Sequence, residues 1–362
     1  MRWLPDVLRG SSRGRNRDDR APGAAPLARA LSELGPGTAD FIRQLADELI
    51  DEFAPAGKGR VDLMGAFVQR LPLLVMMGLL GMDERYAAGV GQAVPDLLAG
   101  ARTSARLDEL MLQLVEEKTE TPGRDLVSWM VHYASDASVR EIAHQTRLLL
   151  LAAVEECTAL LGSCLLPLLD PGGDAPPEEQ RPGLPRIAER AMRHSPPIPE
   201  LFGRVATRDT LLGNALILQG DPVIISLAAA DGPAPNSPTT ATLGHGQSQP
   251  VGTPRAHACP EAAAPLTWLV VATGLDRLAF RLHNLRLSMP ARELLWGSAH
   301  SARSPQSLPV EFLPGRPDVT ADVQWLPDCD FINAPPPQPA APHPTDTGSV
   351  RWRSLRHSGR RN

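Results

Sequence analysis

The sequence predicts a mainly α protein with a minor β-sheet, of the α+β class. Three observations carry that reading. From Thr38 to about Leu169 apolar residues recur at helical spacing. A second amphipathic, Ala-rich stretch runs from Glu261 to Leu282. Between them, residues 204–228 carry the short runs Ala215-Leu-Ile-Leu and Val223-Ile-Ile-Ser-Leu, punctuated by Gly and Pro, which read as strands and turns.

In chain order, residues 1–37 mix Arg, Gly, Pro and Asp without periodicity and are expected to form a disordered basic arm. The first helix is expected from Thr38, because Phe41, Leu45, Leu49 and Phe53 fall four apart on one face. Further helices are expected at about Leu63 to Leu80, Glu84 to Ala99, Ala105 to Glu120, Asp125 to Tyr133 and Val139 to Leu169. Pro clusters and a final Arg-rich run make 314–362 a disordered tail, leaving 38–313 as one folded domain.

Composition sets the outer bounds. A chain of 362 residues, 43% hydrophobic and 21% charged, can bury a large core, while 37 prolines break up much of it. A net charge of -5 argues against nucleic acid as the main partner. No apolar run is read as approaching the ~18 residues that span a bilayer, and the N-terminus lacks a signal-peptide core, so the expected location is cytoplasmic. The four cysteines, Cys157, Cys164, Cys259 and Cys329, have neither CxxC nor CxxCH spacing.

Cys259 is the most informative residue. It stands in His257-Ala258-Cys259-Pro260, directly before the helix expected from Glu261. A cysteine at that place faces the positive end of the helix dipole and free backbone N–H groups, which stabilise a thiolate. Such a sulfur can hold a haem iron. The other readings are a buried, inert cysteine at a helix start, or zinc at His245, His257 and Cys259, for which spacing places no fourth ligand.

The stretch resembles the haem-binding end of a bacterial cytochrome P-450. That family places Phe-Gly-x-Gly-x-His-x-Cys-x-Gly before its last long helix; here Leu243-Gly244-His245-Gly246 is followed, ten residues later, by His257-Ala258-Cys259-Pro260-Glu261. The order of the other elements extends the resemblance over about 38–313. The helix at 139–169 looks like the family's central helix across the haem face, and Ala188 to Pro197 like the helix carrying the ExxR motif. Phe202 to Asp209 and Gly220 to Ala230 look like the strand pair that follows, and Leu285 to Trp296 and Ser307 to Phe312 like the C-terminal strands. Members begin with a helix and a small sheet walling the substrate channel; no counterpart is read before Thr38, so the fold is expected to be incomplete at the N-terminus.

The resemblance implies roles for particular residues. Cys259 would be the axial thiolate of haem b, and Arg204, His257 and Arg193 would stand on the cofactor-binding side, Arg204 and His257 toward the propionates. On the central helix the family carries Ala-Gly-x-(Asp/Glu)-Thr, whose acid and hydroxyl relay protons to the oxygen site. Here Ala153-Val154-Glu155-Glu156-Cys157-Thr158 keeps the acid at Glu156, puts Val154 in the notch and Cys157 at the hydroxyl position, and sets Thr158 one residue late. Glu156, Cys157 and Thr158 are therefore the candidate catalytic residues, against the alternative of a buried helix that tolerates small side chains. In Glu189-Arg190-Ala191-Met192-Arg193, Arg190 occupies the position of the motif glutamate, and Glu189, four residues before Arg193, can still pair with it along the helix. Losing one partner of a buried ion pair costs about 3 to 5 kcal/mol.

Three functions follow from the resemblance. The first is a haem-thiolate monooxygenase that takes electrons from a ferredoxin-type donor and inserts oxygen into an apolar small molecule. The second is a haem-binding or signalling-complex protein of the same fold without turnover. A bacterial subgroup of the family departs from ExxR and is encoded beside small GTPases and sensor kinases, and the closing segment here is similar to it. The third is a decayed product that binds no haem.

Overall fold

The computed structural model describes residues 24–54, 59–98, 104–134, 136–169, 187, 200–226, 263–299 and 302–314. Helices α1 (Ala24–Ser32) and α2 (Gly37–Phe53) come first, then strand β1 (Gly59–Asp62) and a π-helical turn (Met64–Val68) that leads into α3 (Arg70–Leu79). Helices α4 (Glu84–Leu98), α5 (Ala105–Glu120), α6 (Leu126–Tyr133) and α7 (Val139–Leu169) follow. Four short strands, β2 (Glu200–Val205), β3 (Thr210–Leu212), β4 (Ala215–Ile217) and β5 (Pro222–Ser226), precede α8 (Ala264–Arg281). The last strands are β6 (Leu282–Leu287), β7 (Trp296–Ala299), β8 (Ala302–Pro305) and β9 (Pro309–Pro314).

The 31-residue helix α7 is the axis of the core, packed against α3, α5, α8 and β8. Leu149, Leu150, Leu160, Leu161 and Leu165 are all buried along it. The expectation that no apolar stretch reaches membrane-spanning length is corrected here: by length and composition α7 is apolar enough to cross a bilayer, its apolar run being broken only by Glu155 and Glu156. The fold buries 72% of that apolar window.

The arm expected over 1–37 is corrected from Ala24 onward. Leu27, Ala30 and Leu31 have i, i+3, i+4 spacing, and α1 lays that stripe on α6. Arg29 stacks on the Tyr133 ring at 4.4 Å, and the Tyr133 hydroxyl donates to Glu33. A stripe of only two turns between Gly- and Pro-rich flanks is easily read as irregular.

Helix ends follow from identifiable caps. Ser104 Oγ accepts from Leu107 N at 3.1 Å, and Asp125 Oδ1 accepts from Ser128 N at 2.8 Å. Helix α3 stops at Gly81, whose φ of 71° no β-branched residue adopts easily, and Met82 N closes the turn on Met77 O.

The minor sheet is antiparallel in the order β1-β9-β6. Glu311 on the middle strand pairs with Arg60 on one side and with Arg286, at 3.2 Å, on the other. The β6–β9 register shifts between His283 and Arg286, where Asn284 has a φ of 51°. Asp62 Oδ1 accepts from Met64 N at 3.0 Å and Leu308 N at 2.7 Å, tying the end of β1 to the start of β9. The remaining strands form the two-stranded ribbons β2–β5, β3–β4 and β7–β8.

Helix α8 is fixed to the helical layer from both sides. Arg277 Nε reaches Asp47 on α2 at 2.9 Å, and Arg281 reaches Asp47 and Asp51. Opposite, a Cβ on Gly274 would meet Leu71 Cδ2 at 2.9 Å and Leu161 Cδ1 at 3.6 Å, so α8 crosses α3 and α7 closely.

Candidate functional site

The candidate residues within α7 fall mid-helix, on the turn Ala153 to Thr158. Val154 and Glu156 are buried, the latter 2% exposed. An acid at that depth in an apolar helix is costly to keep, which marks it as a functional candidate. Cys157 is buried as well, on the side of α7 that Thr267 of α8 approaches. Burial pushes the thiol well above its ordinary range, the neighbouring Glu156 adds to that, and the Thr267 contact opposes it. Cys157 is therefore a thiol rather than a thiolate, a donor and not a nucleophile. Thr158 Oγ1 is buried without a hydrogen-bond partner among the described residues.

Thr267 is the site residue that sequence reasoning passed over. It is 1% exposed and its own hydroxyl donates to Ala263 O at 3.4 Å. The signal was present: Thr267, Val271, Gly274 and Leu278 share one face of α8 by helical spacing, and that face is buried.

Arg204 lies on β2, where its backbone pairs with Val223 of β5. Cys259, His257 and Arg193, with Glu189, Arg190 and His245, lie outside the described residues. Helix α8 is described from Ala264, with Ala263 as its N-cap, so the helix expected after Cys259 is present. Among the described residues no cluster of His, Cys, Asp or Glu could hold a metal ion.

The described part of the site is a turn of α7 whose polar groups lie within apolar packing. It offers a buried acid at Glu156 and a buried hydroxyl at Thr158 with hydrogen-bonding capacity to spare. Between them lies the buried thiol of Cys157.

Comparison with known proteins fits this arrangement. The structure superposes on CYP109Q5 from Chondromyces apiculatus with a TM-score of 0.69 at 22% identity, covering 83% of this chain and 78% of that one. It superposes on CYP154C4 from Streptomyces sp. W2061 with a TM-score of 0.68 at 23% identity, covering 86% and 81%. In sequence it is 28% identical over 289 residues to cytochrome P-450 107B1 of Saccharopolyspora erythraea, covering 74% of this chain and 69% of that protein. The chain is a relative of the bacterial cytochromes P-450 and has their fold. It is also 28% identical over 292 residues to the 6-deoxyerythronolide B hydroxylase of the same organism, covering 74% and 69%. A third P-450 relative, the mycinamicin IV hydroxylase/epoxidase of Micromonospora griseorubida, is 27% identical over 293 residues and covers 74% and 71%. No family model matches the chain.

The helix expected over 139–169 is present as α7, and β6 and β9 overlap the segments expected as C-terminal strands. The family implies a haem-thiolate cofactor in general.

Proposed function

We propose that the chain is a haem-thiolate monooxygenase of the cytochrome P-450 type, with Cys259 as the axial ligand and with Arg204, His257 and Arg193 on the cofactor-binding side. The observation that carries this reading is the burial of Glu156 mid-way along α7, at the place where the family keeps its acid, beside a helix α8 that begins just after Cys259. When bound, the haem supplies one-electron and oxygen chemistry that amino-acid side chains lack. The chain's own part is to hold and move protons at the Glu156 carboxylate, with Cys157 and Thr158 beside it, and to exclude water by the apolar packing of α7. One oxygen atom enters a C–H bond of an apolar small molecule and the other leaves as water, with two electrons from a ferredoxin-type donor and two protons. The names of two relatives, hydroxylases of 6-deoxyerythronolide B and of mycinamicin IV, support oxygen insertion as the reaction class. A cytoplasmic location accords with a soluble electron donor.

The test is the difference spectrum of the dithionite-reduced protein with and without carbon monoxide. A strongly red-shifted Soret band that disappears in Cys259→Ser is expected; protein that takes up no haem overturns the proposal. A second reading, a haem-binding member of a signalling complex without turnover, is favoured by one observation, the buried thiol of Cys157 where the family carries a hydroxyl. Haem binding without any ferredoxin-dependent product would select it.

A further inference from the structure

We propose that the open edge of β1 pairs antiparallel with β1 of a second copy of this chain, joining two three-stranded sheets into one. In the order β1-β9-β6, β1 has no strand on its outer side among the described residues.

The backbone fixes what that edge offers. Leu63 N donates to Leu308 O at 2.9 Å, and β1 continues the same register, Val61 opposite Val310 and Gly59 opposite Phe312. In an antiparallel ladder alternate residues turn to the same neighbour, so Gly59, Val61 and Leu63 bond inward and Arg60 and Asp62 present their N–H and C=O groups outward. A second β1 laid antiparallel about Val61 sets Arg60 against Asp62 of the other copy, and Asp62 against its Arg60, with the backbone bonds of both pairs made.

Charge selects the same register. Arg60 and Asp62 alternate with Gly59 and Val61 along β1 and are its two exposed residues. Glu311 is shared by Arg60 and Arg286, so the row across β6, β9 and β1 reads Arg-Glu-Arg, one cation in excess. Asp62 of the other copy falls next in that row and supplies the missing acid. Its Oδ1 is taken by Met64 N and Leu308 N, which leaves Oδ2 for the arginine. Centring the pair on Arg60 or on Asp62 would set like charges face to face. Short charged edges commonly keep sheets apart, but here the signs alternate so that one register attracts. A strand of four residues makes a small contact, so the dimer is weak and salt-sensitive.

The test is sedimentation of the full chain over a concentration series at low salt. The mass is expected to rise from 38.9 kDa toward twice that value and to fall back on adding salt. Arg60→Asp and Asp62→Arg each oppose like charges and are expected to stay monomeric, while their equimolar mixture dimerises because both cross-strand pairs are opposite again. Should Asp62→Arg fail to fold for want of its two backbone bonds, Val61→Cys reads the register by itself. The two thiols meet at the two-fold axis, in a pair without backbone bonds where side chains lie closest. With diamide as the oxidant they are expected to form an intermolecular disulfide in excess of any in the wild type. A single-chain mass at every concentration overturns the proposal. A dimer that persists in Arg60→Asp, or one that gives no Val61→Cys disulfide, also overturns it and moves the interface elsewhere, such as to the exposed Leu211, Leu212 and Leu216 of the β3–β4 ribbon.

Discussion

Gly59 and Phe312 face each other across β1 and β9, and a Cβ on residue 59 would lie 2.4 Å from Phe312 Cζ. The ring occupies the space that the glycine leaves and meets Phe53 edge-on at a centroid distance of 5.9 Å. Gly59→Ala is expected to cost about 1 to 3 kcal/mol through overpacking. Phe312→Ala is expected to cost about 3 to 5 kcal/mol through the cavity it leaves. The double variant should be less destabilised than the two costs added, because the clash vanishes with the ring. Urea unfolding midpoints of the four proteins check this; strict additivity would refute the contact.

The helices were legible because their signals are local. Asp125 precedes an apolar run and caps it, and Phe41, Leu45, Leu49 and Phe53 repeat at one-turn spacing. The contact between Gly59 and Phe312 was not, since a four-residue strand has too few positions to show alternation and its partner is some 250 residues away. The site divides in the same way. Glu156 and Cys157 stand out as polar residues in an apolar helix, whereas the close crossing of α8 over α7 at Gly274 and Leu161 shows only in the fold.

Lys118 and Asp125 form an ion pair at 2.9 Å in which the carboxylate side chain is only 6% exposed, and the same carboxylate caps α6. Asp125→Ala removes the cap, worth about 1 kcal/mol, and leaves Lys118 without its counter-charge, so a total loss of about 3 kcal/mol or more is expected. Asp125→Asn keeps an oxygen for Ser128 N and removes only the charge. Thermal melts of the two variants should separate, with Ala the lower.

Alkaline pH should weaken the α4–α5 contact through Tyr86. Burial, and after it the hydrogen bond that its hydroxyl donates to Glu117 at 3.0 Å, raise the phenol from its ordinary value of 10.0 to about 12. The native state therefore holds this proton after the unfolded chain has released it. The stabilisation is complete below pH 10.0 and is lost as pH rises toward about 12. Tyr86→Phe should flatten the fall in stability over that window, measured by urea unfolding at stepped pH; an unchanged slope would count against the contact.

Cys157→Thr tests what the thiol costs the proposed reaction. A hydroxyl is a stronger hydrogen-bond donor than a thiol. The exchange is close in volume, and the added methyl group must fit the crossing of α7 and α8, so stability should change by less than about 1.5 kcal/mol. If proton supply at this turn limits oxygen insertion, the variant should form more product and less peroxide per electron pair drawn from the ferredoxin donor. Equal product yields in the two proteins would mean that protons reach the site by Glu156 and Thr158 alone, and that Cys157 takes no part in their supply.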